Sequence, residues 1–404
     1  MKTAFHVLCA RAAAAFTVGV LLASCSRAPL GDVAAASIAS DEPVAPLARA
    51  AAWLWRQQSS DGGWHSATYG LARGGQAYTA FVLHALLEVP PELCAPPSDG
   101  IARALDFMSR HVNASGALGL ADPDVIEYPN YATAHALRCF VKVGRAQDRP
   151  LIERMRKYLL AEQYCEALGF DRDSPAYGGW GFGGARPRGA TGHMDLSHTR
   201  RVLEAIKDVG ASDAQVLARA RSFLALVQRH PASERPQPCP DRHAACAAQA
   251  APYDGGFYLS PIVFPANKGG LEPASDHASC YFRSYATATC DGLLALLAAG
   301  FGPDAEPVVA AHRWLELHPR LDITEGIAPS PTEPWSDALY FYHLAVRAEV
   351  YSALNWPGAW RAEIAALLAA EQRADGSFQN RKCILMKEDD PILCTALAVI
   401  ALAR

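Results

Sequence analysis

The chain has 404 residues, half of them apolar, 19% charged, and a formal net charge of −4. That balance supplies no basic field for phosphate backbones, which argues against a nucleic-acid partner, and 9% aromatic content with frequent Leu and Val argues against a disordered chain. Alanine makes up much of the apolar fraction and favours many closely packed helices, while eleven cysteines make the compartment the first question.

At the N-terminus, Lys2 and Arg11 precede an apolar run from Ala12 to Leu22 that is too short to span a bilayer and reads as an export signal. Leu22-Ala23-Ser24-Cys25 is similar to the lipobox of bacterial lipoproteins, where cleavage exposes a cysteine thiol that carries the acyl chains. The resemblance implies a signal peptide over residues 1–24, lipid at Cys25 and a membrane partner held by more than one acyl chain. Ser26 follows the cysteine in place of Asp, which in a double-membrane bacterium implies the outer membrane. Residues 25–43, rich in Ala, Asp, Pro and Ser, form the lipidated end and its flexible tether. Removing Cys9 and lipidating Cys25 takes two from eleven and leaves nine cysteines in an oxidising space. At least one is therefore free or paired outside the molecule, with Cys239–Cys246 and Cys383–Cys394 plausible structural staples.

From about residue 44 onward a unit recurs: an amphipathic helix, a glycine-aromatic turn, a loop and a second helix. The clear copies are WLWRQQSSDGGW followed by YTAFVLHALLEV, and LLAAEQRADGSF followed by CTALAVIALA. Four weaker copies lie between them, around Leu105 and Tyr131, Met155 and Leu196, Phe223 and Tyr285, and Trp314 and Ser336. Within the first helices, apolar spacing such as Phe223, Leu224 and Val227 predicts a buried stripe. Gly62-Gly63 and Gly376 are expected to end first helices through positive φ. The aromatics that follow, Trp64, Trp180, Phe257 and Phe378, are placed to fold back over a helix end. Thr79, Thr133, Ser197 and Ser336 are expected to cap second helices. One pair cannot bury its own face, so the six pairs must stack or close into a ring.

Gln57-Gln58 before Asp61-Gly62-Gly63-Trp64, and Gln372 before Asp375-Gly376-Ser377-Phe378, look like the QW motif of squalene-hopene cyclases. On this motif and the repeats the chain resembles the prenyltransferase and squalene oxidase repeat superfamily, over nearly all of residues 44–404. The resemblance implies an all-α fold: an α/α toroid of about six helical hairpins, with the second helix of each pair inside around a central cavity.

In such a toroid the starts of the inner helices and the loops feeding them face the cavity. The candidate ligand-binding residues are then Tyr78, His84, Asn130, Tyr131, His135, Tyr285, Cys290, Trp335, Tyr340 and His343, with Asp195, His198, Asp291 and Asp337 as catalytic candidates. Any of these Tyr or His side chains can also simply fill the barrel centre with its polar tip hydrogen-bonded.

Type II terpene cyclases protonate an alkene with a D-x-D-D aspartate, and no such cluster occurs in this sequence. Prenyltransferase β-subunits bind zinc through Asp and Cys spaced by two on one inner helix and His on the next. Cys290 and Asp291 are adjacent, about 100° apart on a helix, so the spacing disfavours zinc and no metal or other cofactor is expected. Glycan chemistry stays open, because polysaccharide lyases and glycosidases also use α/α toroids, and Asn130, Tyr131 and His135 could serve a lyase. The leading expectation is a membrane-anchored lipoprotein whose cavity takes a small apolar or amphipathic, isoprenoid-like ligand. The alternatives are a lyase or glycosidase acting on cell-surface glycan, and a non-catalytic structural or partner-binding module. The insertion from about Pro231 to Ser284, with Asp276-His277 and Cys280, is expected to cover one mouth of the ring or, equally, to serve as a docking surface.

Overall fold

The computed structural model describes residues 46–119, 128–184, 186–210, 213–238, 252–273 and 280–404. The export signal, Cys25, the tether, Cys239, Cys246, Asp276 and His277 lie outside the described residues. Six helical hairpins follow one another, as the repeats predict. Outer α1 (Pro46–Arg56) pairs with inner α2 (Gln76–Leu86), α3 (Gly100–His111) with α4 (Pro129–Val143), and α5 (Arg149–Ala161) with α6 (Leu196–Asp208). Outer α7 (Ala214–Val227) then pairs with inner α8 (Ala286–Ala298), α9 (Glu306–Leu317) with α11 (Tyr340–Ala353) after the single turn α10 (Trp335–Ala338), and α12 (Trp360–Glu371) with α13 (Pro391–Leu402). Each inner helix packs on the next, α2 on α4, α6, α8, α11 and α13 in turn, and α13 returns to α2. The ring is closed, which makes the fold an α/α toroid. Two short antiparallel strands, β1 (Leu271–Pro273) and β2 (Cys280–Phe282), lie in the insertion between α7 and α8.

Inner helices such as α8 and α13 are apolar on nearly every face, because one side meets the outer helices and the other the centre. Outer helices carry an apolar stripe, so Phe223, Leu224, Leu226 and Val227 of α7 are buried while Ala218, Arg221 and Ser222 face solvent.

The turn between outer and inner helix is the repeated structural device. Trp64 Nε1 donates to Leu54 O at 2.7 Å, and Trp180 Nε1 donates to Leu159 O at 2.7 Å, so both aromatics fold back over the outer helix. The preceding glycine does not cap that helix, contrary to expectation. It lies in the turn at positive φ, pressed against the next outer helix: a Cβ on Gly62 would meet Arg103 O at 2.4 Å, on Gly178 Arg219 O at 1.9 Å, and on Gly376 Arg49 O at 2.7 Å. The glutamine of the motif ties the same two helices. Gln58 Nε2 donates to Gly62 O and Gly100 O, Gln228 Nε2 to Gly255 O and Pro307 O, and Gln372 Nε2 to Gly376 O and Pro46 O, the last joining the sixth pair to the first.

The threonines also take a different role from the one expected. Thr79 and Thr133 sit inside their helices, where the hydroxyl accepts the turn's N–H, from Trp64 at 2.9 Å and Leu118 at 2.8 Å. Thr199, Thr289 and Thr395 make the same clasp to Trp180, Phe257 and Phe378. Ser197 Oγ meets the Tyr342 hydroxyl and Ser336 Oγ accepts from Thr324 N, so neither caps its helix. The side-chain caps are Asp195, Asp213 and Asp390. Cys383 and Cys394, expected to form a staple, are both buried, unbridged thiols.

Candidate active site in the toroid cavity

The N-terminal halves of the inner helices and the loops beside them enclose a cavity of about 460 Å³ with a predominantly apolar wall, within the range of small-ligand sites. Tyr78, Tyr131, Asp195, His198, Tyr285 and Asp291 line it, as the repeats place them. The other candidates lie elsewhere. His84 is six residues past Tyr78, about 9 Å deeper along its helix, where His84 Nδ1 pairs with His135 Nδ1 at 2.8 Å. Burial holds both imidazoles well below the usual histidine range, so both are neutral. Asn130 Nδ2 donates to Gly181 O and braces the turn after Trp180. His343 Nε2 faces Arg320 O, and burial lowers it to about 3. Cys290 is buried off the cavity wall, its thiol pushed up to about 12 by burial, and among the described residues Cys290, Asp291 and His343 form no group able to hold a metal ion. Asp337 is exposed on α10, Trp335 stacks under Lys268 Nζ at 3.6 Å, and Tyr340 faces Lys382.

Several wall residues come from places that helix-start reasoning does not reach. Tyr342 lines the cavity from the first turn of α11, which starts at Tyr340 after a break at Leu339. Phe182 and His193 come from the loop between α5 and α6, Leu259 and Lys268 from the insertion, and Glu388 from the loop before α13. The described part of the insertion therefore reaches the cavity wall, as expected of a cover.

Polar side chains interrupt the apolar wall at discrete places. Asp195 caps α6 through His198 N at 2.9 Å and accepts from His198 Nδ1 at 2.9 Å and His193 Nε2 at 2.8 Å. Burial works against its ionisation, yet the charge of His198 and the His193 hydrogen bond hold its carboxyl well below the usual range. His198 is thereby oriented between Tyr131 and Phe182, with Nε2 buried and unpaired among the described residues. The Tyr78 hydroxyl is buried and unpaired in the same sense. Asp291 accepts from Tyr342 OH at 2.8 Å and from Arg200 Nη1 at 2.9 Å. Glu388 accepts from Phe341 N at 3.0 Å, Tyr342 N at 2.8 Å and Asn380 Nδ2 at 3.1 Å; burial outweighs these donors and raises its carboxyl to about 7. Near neutrality Glu388 can give or take a proton, and the unpaired Nε2 of His198 can hydrogen-bond or exchange one with a ligand.

Beyond Asp291, the C-terminal halves of the inner helices are filled by a buried ion network. Arg200 bridges Asp291, Glu349 at 2.6 Å and Glu204 at 2.8 Å. Arg138 reaches Glu204 at 2.9 Å, and Arg404 reaches Glu88 at 3.0 Å. The toroid centre is thus packed and ionic at one end, open and aromatic at the other.

No protein-family model and no characterised protein sequence matches the chain. Solved structures show the fold. A type II terpene cyclase, MstE from Scytonema, in complex with geranylgeranyl dihydroxybenzoate, superposes with a TM-score of 0.50 at 14% identity, over 89% of this chain and 95% of that one. The same enzyme bound to merosterolic acid A gives 0.50 at 15% identity, over 88% and 95%. A family 76 glycoside hydrolase from a bovine Bacteroides thetaiotaomicron strain gives 0.50 at 12% identity, over 88% and 78%. At these identities the likeness is one of architecture, shared by a terpene cyclase and a glycan hydrolase.

Proposed function

We propose that the cavity holds the apolar chain of a small amphipathic, isoprenoid-like ligand, in a protein tethered to the export-side membrane through lipid on Cys25. The observation that carries this reading is the wall itself. Tyr78, Phe81, Tyr131, Phe182 and Tyr285 present aromatic surface around about 460 Å³, and the polar groups are few and discrete. Asp195–His198, Tyr342–Asp291 and Glu388 supply a polar end with directed hydrogen bonds. A sugar would demand a denser polar lining, and Asn130 and His135, which would supply it, are engaged away from the cavity. The terpene cyclase of like fold accommodates a geranylgeranyl compound, which is consistent with this ligand class.

Geranylgeraniol and a linear mannose oligosaccharide serve as probes. Calorimetric titration of the purified protein is expected to show saturable binding of geranylgeraniol, weakened at least tenfold by Thr287→Phe, which puts a bulky ring into the cavity. Saturable binding of the oligosaccharide without binding of the prenyl alcohol overturns the reading.

A further inference from the structure

Two hydrogen-bonding groups of opposite kind stand unanswered in the cavity wall. Tyr78 and His198 both line the cavity and occupy equivalent places in the first and third repeats, each the residue before the threonine that clasps the turn. Inner helix α4, which packs on both α2 and α6, has only Ala132 at that place, before Thr133. The two polar tips therefore stand at one level of the toroid, with a small residue on the helix between them.

The protons define what each group lacks. Asp195, ionised despite its burial, accepts from His198 Nδ1 at 2.9 Å, so the proton of the neutral imidazole lies on Nδ1. His198 Nε2 is then a bare lone pair, buried and without a donor among the described residues. Tyr78 is the converse. Burial keeps its phenol protonated, and the Ser66 hydroxyl beside it is already committed, donating to Asp390 Oδ2 and accepting from Thr68 N and Tyr69 N. The Tyr78 hydroxyl thus has a proton to give and no acceptor among the described residues. A buried donor or acceptor left unpaired costs about 1–3 kcal/mol, which a ligand with matching groups removes. His198 Nε2 fits an O–H and Tyr78 OH fits a carbonyl oxygen, so water and a carbonyl compound together satisfy the pair. The neighbouring Ser197 is not free to attack. Tyr342 OH gives its proton to Asp291 at 2.8 Å, so Ser197 Oγ, 3.1 Å from Tyr342 OH, is the donor of that contact, and water is left as the nucleophile.

We infer that His198 is the general base for hydrolysis of a carboxylic ester whose apolar chain lies in the cavity. The assignment rests on the ligand class proposed above, which places such a chain against the aromatic wall. His198 Nε2 takes a proton from water as the water oxygen bonds to the carbonyl carbon, and the carbonyl oxygen, gaining the displaced electron pair, accepts a hydrogen bond from Tyr78 OH. The carbon–oxygen bond to the alcohol then breaks, and the imidazolium returns its proton to the leaving oxygen. The products are one carboxylic acid and one alcohol. Asp195 touches neither and is a positioning residue, holding the Nδ1 proton and the charge that forms on the ring.

The test is incubation of the purified full chain with geranylgeranyl acetate in water enriched in oxygen-18, with both products read by mass spectrometry. Saturable turnover is expected, with the label in acetate and none in geranylgeraniol. His198→Ala should lower kcat about a hundredfold or more, and added imidazole should restore part of it, which loss of a merely structural side chain would not allow. Tyr78→Phe, which keeps the ring in place, should lower kcat about a hundredfold with KM held. Asp195→Asn, which keeps an acceptor for the helix cap, should also lower kcat with KM held. Label in the alcohol overturns the proposal, because the bond to the prenyl carbon has then broken, and so does undiminished turnover by His198→Ala. Absence of hydrolysis while geranylgeraniol still binds by calorimetry overturns this inference and leaves the ligand class standing; absence of both overturns the two together.

Discussion

Glu388 is the residue whose titration leaves a measurable trace. Its buried carboxyl keeps its proton to about pH 7, whereas in the unfolded chain it loses it near the ordinary value of 4.5. Between those limits the native state binds more protons, so this group's contribution to stability is present below about pH 4.5 and is lost as pH rises toward 7. The shift corresponds to roughly 3 kcal/mol. Glu388→Gln cannot titrate, so urea denaturation at pH 5 and pH 8 should show the wild type losing about 2–3 kcal/mol more than the variant over that interval. Arg200 makes a second residue-scale case. Arg200→Met leaves Asp291 and Glu349 buried without their main counter-charge and should cost about 3–5 kcal/mol. The same residues show where the sequence was opaque. Asp291 and His198 were legible as inner-helix polar groups, but Glu388 sits in a loop between Cys383 and Cys394, which suggested a staple, and only long-range folding places it against Phe341 and Tyr342.

At the scale of the helix pair, the repeat is held by one turn that serves three helices. Its glycine is required for space as well as conformation. Gly178→Ala puts a Cβ 1.9 Å from Arg219 O at φ +91°, and should destabilise the protein by more than about 3 kcal/mol or prevent folding. Gly189→Ala, also at positive φ but with nothing nearer than 3.9 Å, should cost only about 1–2 kcal/mol, so thermal melting of the two separates crowding from backbone strain. Thr289→Val keeps the side-chain shape and leaves the buried Phe257 N–H unpaired, for an expected loss of about 1–3 kcal/mol. The repeats were readable because each helix and turn carries its own local signal. Their joints were not, because Gly62 against Arg103 and Gln372 against Pro46 are contacts between neighbouring repeats, one of them across the whole chain. The start of α11 had no local mark either: Ser336 was expected to cap the fifth inner helix, and α11 begins at Tyr340 after a break at Leu339.

For the whole molecule, closure of six inner helices divides the centre into an ionic, filled end and an aromatic, open one. This division explains why six of the sequence candidates meet at the cavity while His84, His135 and His343 pack elsewhere. A helix start predicts a direction, and a few residues further along the same helix already belong to the filled end. The proposed lipid on Cys25 belongs to this scale as well. Cys25→Ala should move the protein from the membrane fraction toward the soluble fraction and leave its helical circular dichroism unchanged, read by fractionation and spectroscopy.

The central claim, that the cavity holds an apolar ligand, is tested most directly by native mass spectrometry of the purified protein, with lipid extraction of the same sample. A bound mass that extracts as a prenyl or other apolar-chain lipid, and that is depleted in Thr287→Phe, is the predicted result. A ligand-free protein that depolymerises cell-surface glycan contradicts it.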